Sequence, residues 1–126
     1  MASKRQKQVA ELVKRNFGTI LQQEGAYIYG SEPFVTVTNV LLSPDQGIAK
    51  IYLSIYNTEN KDAVIQAMED QYYRLKQSLA HRLSRHVRRI PEMQFYIDEM
   101  LDEMERVDAL FKKLEADKQM GEKNND

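Results

Sequence analysis

Between Ala49 and Tyr56 the side chains alternate without interruption: Ala49, Ile51, Leu53 and Ile55 fall on one side of an extended chain, and Lys50, Tyr52, Ser54 and Tyr56 on the other. Such a strand has one dry face and one wetter face, so an apolar layer must cover one side of the sheet it joins. The preceding run, Phe34-Val35-Thr36-Val37-Thr38-Asn39-Val40-Leu41-Leu42, is rich in β-branched residues and reads as a neighbouring strand. Between the two, Ser43-Pro44-Asp45-Gln46-Gly47 supplies a turn with a glycine available for positive φ. Met93, Phe95 and Ile97, alternating with Gln94, Tyr96 and Asp98, give a short third strand.

Helical spacing supplies the covering layer. Val9, Leu12, Val13, Phe17, Ile20 and Leu21 recur at steps of an amphipathic helix, which the turn-rich run Gly25 to Pro33 is expected to end. Asn57-Thr58-Glu59-Asn60 offers capping side chains ahead of a long apolar pattern, Val64, Met68, Tyr72, Leu75, Leu79, Leu83 and Val87. This pattern is long for a small domain, so the helix either projects or bends into two with a kink near Gln71 to Tyr73, and Pro91 closes the region. Leu101, Met104, Val107, Leu110, Phe111 and Leu114 return to helical spacing, whereas Lys118 to Asp126 has no apolar period. The expected organisation is one domain over residues 1–114 and a disordered charged tail over 115–126. The element order α-β-β-α-α-β, with a three-stranded sheet packed on helices and a C-terminal helix, is an α+β arrangement and the order of a type II KH domain.

Charge is distributed unevenly. The 126 residues sum to a formal net charge of -1, yet Arg74 to Arg89 holds Arg74, Lys76, Arg82, Arg85, Arg88 and Arg89 without an acidic residue. Lys4, Arg5, Lys7, Lys14 and Arg15 form a second basic group near the start, whereas Asp98 to Asp126 holds ten acidic residues against five basic. Arg74, Ser78, Arg82, Arg85 and Arg89 advance by four, four, three and four, which places them on one helix face beside the Leu75, Leu79 and Leu83 stripe. Planar guanidinium groups can bind phosphate bidentately, so this face is read as a phosphate-contacting surface, with Lys4, Arg5 and Lys7 as a flexible arm. The expected RNA-binding set is Lys4, Arg5, Lys7, Arg74, Lys76, Arg82, Arg85, Arg88 and Arg89.

Other chemistries find little support. With no cysteine there is no disulfide framework or thiolate nucleophile, and no run of about 18 apolar residues suggests a membrane span. A cytoplasmic protein is expected. His81 and His86 lie five apart, roughly 140° around a helix, and so cannot share a zinc ion as a pair four apart would. Asp98, Glu99, Asp102 and Glu103 are explained as first-turn carboxylates at a helix start. No metal or cofactor is expected, and no catalytic residues are assigned. Tyr52 and Tyr56 on the outer strand face, and Tyr72 and Tyr73 at the start of the basic segment, are open to reading as base-stacking groups or as rims of the core. Glycines occur at 18, 25, 30, 47 and 121, never three apart, so the GXXG loop by which KH modules grip single strands is absent.

Three stretches together resemble the bacterial ribosome-binding factor A family, from about Lys4 to Leu114. They are Phe34 to Val40 leading into Leu42-Ser43-Pro44-Asp45, then Ala49-Lys50-Ile51-Tyr52-Leu53-Ser54, and Ile90-Pro91-Glu92-Met93-Gln94-Phe95-Tyr96-Ile97-Asp98, where the family has V-P-E-L-x-F-x-x-D. The family marks its helix kink with Ala-x-Gly, and here Gln71-Tyr72-Tyr73 occupies that place. The resemblance implies a non-enzymatic assembly factor that binds the free 30S subunit and assists late maturation of the 16S rRNA precursor, with a link to growth in the cold. It would act as a monomer, with other assembly factors as further possible partners. Two readings from other classes stand beside it: a protein-interaction module that docks another assembly factor, and a DNA-binding protein.

Overall fold

A computed structural model of the protein describes residues 2–99. Its elements in chain order are α1 (Lys4–Tyr29), β1 (Phe34–Leu42), β2 (Ile48–Tyr56), α2 (Lys61–Asp70), α3 (Tyr72–Leu83) and β3 (Glu92–Ile97). The α+β, KH-like order read from the sequence is the order found. The expected C-terminal helix from Leu101 to Leu114 and the tail over 115–126 lie outside the described residues.

The sheet runs β1-β2-β3, with β1 and β2 antiparallel across the Ser43–Gly47 turn and β2 and β3 parallel. Parallel pairing requires a crossover, and α2 with α3 provides it. Ala49, Ile51, Leu53 and Ile55 are fully buried, as their alternation demands. They join Val35, Val40, Met93 and Phe95 from the other strands, Val9, Val13, Phe17, Ile20 and Leu21 from α1, and Val64, Met68, Leu75, Leu79 and Leu83 from the crossover, in one core. Phe17 lies near its middle, stacked on Phe95 with ring centroids 5.7 Å apart, and so joins α1 to β3. On the outer face the aromatic residues pair across strands, Tyr52 with Tyr96 at 5.4 Å and Phe34 with Tyr56 at 6.2 Å.

The end of α1 falls inside the expected Gly25 to Pro33 run: the helix continues to Tyr29, and the terminating positive φ belongs to Gly30, at 91°, whose N–H donates to the Ala26 carbonyl. Gly25 serves packing instead: it is buried, and a Cβ there would collide with the Tyr29 ring one turn later. At the other end Lys4, Arg5 and Lys7 are not a flexible arm but the first turns of the helix, fixed by a capping box. The Gln6 N–H donates to the Ser3 hydroxyl at 3.1 Å, and the Ser3 N–H donates to the Gln6 side chain at 2.8 Å.

The Ser43–Gly47 turn forms, although Gln46 rather than Gly47 takes the positive φ, at 60°. The Asp45 carboxylate accepts from the Ser43 hydroxyl at 2.6 Å and from the Gly47 N–H at 2.9 Å, which holds the loop closed. Gly47 allows close approach, since a Cβ there would sit 3.1 Å from the Arg89 guanidinium and 3.2 Å from Asp45, tight enough that those side chains would have to shift slightly.

The helix break falls where the sequence places it, at Gln71, with φ -105° and ψ 25°. No glycine is required, because the break is fixed from outside the helix. The half-buried Tyr72 ring packs edge-on to Phe95, and its hydroxyl accepts from the Met93 N–H at 2.9 Å while donating to the Glu92 carboxylate. Lys76, one turn on, pairs with the same carboxylate. The Lys76 and Tyr72 hydrogen bonds hold the Glu92 carboxyl below its ordinary range. Burial, then the bond to Glu92, pushes the Tyr72 phenol from 10.0 up to about 12. The two shifts act at opposite ends of the pH scale. The Glu92 contribution is present above the unfolded carboxylate pKa and is lost as pH falls through the lower folded value. The Tyr72 contribution is complete below pH 10.0 and is lost as pH rises through about 12. Tyr72→Phe is therefore expected to flatten the alkaline limb of a Tm-against-pH profile and to soften the acid limb. Identical limbs in variant and parent would show that this link adds nothing to stability.

Candidate nucleic-acid interface

The helix α3 stops at Leu83, and this divides the basic segment in two. Ser84 follows as the cap, and the His86 and Val87 N–H groups both donate to the Leu83 carbonyl, at 2.8 and 3.1 Å, closing a turn. Arg85, Arg88 and Arg89 therefore lie past the helix, so the expected common helix face of Arg74, Ser78, Arg82, Arg85 and Arg89 does not form. Spacing alone missed this because Leu83 and Val87 continue the apolar period. Val87 and Ile90 pack against the core from the connection rather than from a helix.

The basic side chains on α3 itself are engaged within the domain. Arg74 pairs with Glu24 of α1 at 3.1 Å and lies over the Tyr27 ring, 5.9 Å from its centroid. The Ser78 hydroxyl donates to the other Glu24 oxygen at 2.8 Å, and Arg82 donates to the Gln23 side chain at 2.9 Å. Lys76 is bound to Glu92. These residues brace α3 against α1 and β3. None is buried away from solvent, but each has an acceptor already.

The other cations of the expected set lie on two of three segments that converge at one end of the domain: the start of α1, the Ser43–Gly47 turn and the connection from α3 to β3. Arg5 donates to the His86 carbonyl at 3.1 Å, across 81 positions of sequence. Gln6 donates to the Leu42 carbonyl at 3.3 Å, and the Glu92 N–H donates to the Gly47 carbonyl at 2.8 Å. Arg89 lies against Gly47 and Asp45. The Asp45 carboxyl is held below its ordinary range, first by the Ser43 hydroxyl and the Gly47 N–H and less by the Arg89 charge. Arg89 is the cation beside Asp45, and Lys4, Arg5, Lys7, Arg85, Arg88 and Arg89 are all exposed on the two segments that the bond from Arg5 to His86 joins. Lys4, Lys7, Arg85 and Arg88 have no ion-pair partner among the described residues. The α1 N-terminus adds the positive end of its dipole, with no acidic side chain in its first turn to offset it.

Several guanidinium and ammonium groups spread over a turn and a helix start suit a ligand with many anionic oxygens, such as a phosphodiester backbone. Among the described residues no group of three or more His, Cys, Asp or Glu is placed to hold a metal ion, and no helix is long and apolar enough to cross a membrane. Asp45, Gly47 and the Arg5 contact to His86 were not identified from sequence. The pairing of an acidic turn with a distant arginine leaves no local pattern to find.

The model of the family described as Ribosome-binding factor A matches residues 5–111. Ribosome-binding factor A of Cytophaga hutchinsonii is 34% identical over 122 residues, covering 97% of this chain and 91% of that protein. The crystal structure of ribosome-binding factor A from Thermus thermophilus superposes with a TM-score of 0.60 at 22% identity, covering 73% of this chain and 94% of that one, and shares the fold. A homology model of the Thermus thermophilus factor, fitted into the cryo-EM map of a complex of that factor with the 30S subunit, gives a TM-score of 0.56 at 25% identity, covering 69% and 88%.

Proposed function

We propose that this chain, which belongs to the ribosome-binding factor A family, binds the free 30S ribosomal subunit through its cationic end and there assists late maturation of the 16S rRNA precursor. The observation that carries the reading is that the first turn of α1, with Lys4, Arg5 and Lys7, is joined to the connection that carries Arg85, Arg88 and Arg89, far away in sequence, by the bond from Arg5 to the His86 carbonyl. The fitted Thermus thermophilus complex supports it from outside the chain. Without a GXXG loop to clamp single strands, recognition rests on phosphate contacts and on the shape of a folded rRNA surface. Arg74, Lys76 and Arg82 take the supporting part, holding α3 in place so that the turn after it presents Arg85 and Arg88. The role asks for docking and stabilisation of an rRNA conformation rather than for bond chemistry, and it belongs in the cytoplasm, where free subunits are assembled.

Sucrose-gradient fractionation of cell extract tests the reading. The protein is expected to travel with free 30S subunits and to leave them as salt is raised. If about five phosphates are neutralised, log affinity falls against log salt with a slope of about -4. A slope near zero, or sedimentation only as free protein at low salt, would refute it. Accumulation of unprocessed 16S rRNA after depletion of the protein is the separate test of the maturation role.

A further inference from the structure

We infer that the groove between α1 and the outer edge of β1 receives an extended acidic segment of a partner protein, which adds to the sheet as a fourth strand. This surface is separate from the cationic end and goes beyond the reading above. Among the described residues β1 is an edge strand, so alternate residues turn backbone N–H and C=O groups outward. Its sequence from Phe34 to Leu42 contains no charged residue, proline or glycine, the devices that ordinarily keep an edge from pairing. One protective feature is present, the register shift between Val37 and Asn39, and it lies beyond the stretch in question. Phe34 to Val37, the regular part before that shift, is the stretch of β1 that lines the groove.

The groove measures about 600 Å3, within the usual range for a ligand site. Its α1 wall is low where a strand would pass: Gly18 presents no side chain, and a Cβ added there would meet nothing within 4 Å. Leu21, Tyr29 and Pro33 give apolar contacts toward one end. Toward the other, Lys14 and Arg15 stand beside Glu11, the one carboxylate in the lining, and neither cation is ion-paired among the described residues. This layout favours a segment of alternating β-branched or apolar residues with aspartate or glutamate at the end beside Lys14 and Arg15. Main-chain pairing would supply affinity, and the charge would set direction.

Selection of random twelve-residue peptides displayed on phage against the immobilised full chain tests this. Enriched sequences are expected to combine alternating β-branched residues with an acidic end, and a synthetic consensus peptide to slow amide exchange within Phe34–Val37. Gly18→Trp, whose indole enters open space, is expected to keep its far-UV CD spectrum and its salt-dependent 30S association while peptide affinity falls about tenfold or more. Lys14→Glu with Arg15→Glu provides a second variant, expected to lower affinity for the acidic peptide but not for its amidated, uncharged counterpart. Absence of any consensus, protection elsewhere on the chain, or equal binding by Gly18→Trp would overturn the proposal. So would self-association that Gly18→Trp abolishes, which assigns the edge to a second copy, or protection of Phe34–Val37 by a uridine dodecamer, which assigns it to RNA. Loss of 30S association in the parent chain would count against the proposed function alone.

Discussion

Arg85→Glu combined with Arg88→Glu is expected to weaken association with free 30S subunits by at least roughly a hundredfold near physiological salt, since a charge-assisted hydrogen bond contributes about 1.5–3 kcal/mol and each is removed at a separate phosphate. Both side chains are exposed on the connection after α3 and carry no internal ion pair among the described residues, so the fold has little reason to respond. The salt slope should shrink by about two units as well. Arg82→Gln is the informative control. Arg82 bonds to Gln23 on α1, and its loss is expected to leave 30S association within about threefold of the parent, the scale of an exposed polar contact. A folded Arg85/Arg88 variant that still co-sediments with 30S at the parental salt midpoint would rule out the cationic end as the docking surface. Equal losses in both variants would return the whole α3 face to the interface.

Phe17→Ala carries the largest expected cost to the fold, about 3–5 kcal/mol for a phenylalanine lost from a packed core. Small domains are stable by roughly 5–15 kcal/mol, so this one change removes a large share. Phe17 is wholly buried, and its stack on Phe95 ties the first helix to the last strand. A fall in Tm of about 12 °C or more follows for a domain of this size. Phe95→Ala should be costly too, and the double variant should lose less than the sum, because the second truncation enlarges a void already opened. Denaturant unfolding of the four proteins gives the comparison. A Phe17→Ala loss under about 1 kcal/mol would mean that the core closes over the missing ring and that α1 is held mainly by its other contacts.

The parts of this fold legible in the sequence are those set by neighbours along the chain. Alternation fixed the faces of β2 and β3, the Asn60 cap opened α2, and the break near Gln71 was placed correctly although no glycine marks it. The parts that were not legible depend on residues that meet only after folding. The end of α3 at Leu83 is one, for neither glycine nor proline appears before Pro91 and Val87 keeps the apolar step. The packing role of Gly25 is another, because only the folded helix brings the Tyr29 ring over it. At the candidate site the basic residue types suggested phosphate contact. Which of them meet acceptors within the domain was not legible, since Glu24, Gln23 and Glu92 lie 50, 59 and 16 positions from Arg74, Arg82 and Lys76.

The stitch between Arg5 and the His86 carbonyl also has a temporal meaning. During synthesis the first turns of α1 emerge long before the connection that completes their surface, by on the order of several seconds at about 5–20 residues per second. A half-made chain thus displays Lys4, Arg5 and Lys7 without the connection from α3 to β3 beside them. On the proposed function, firm attachment to rRNA would wait until that connection has been synthesised.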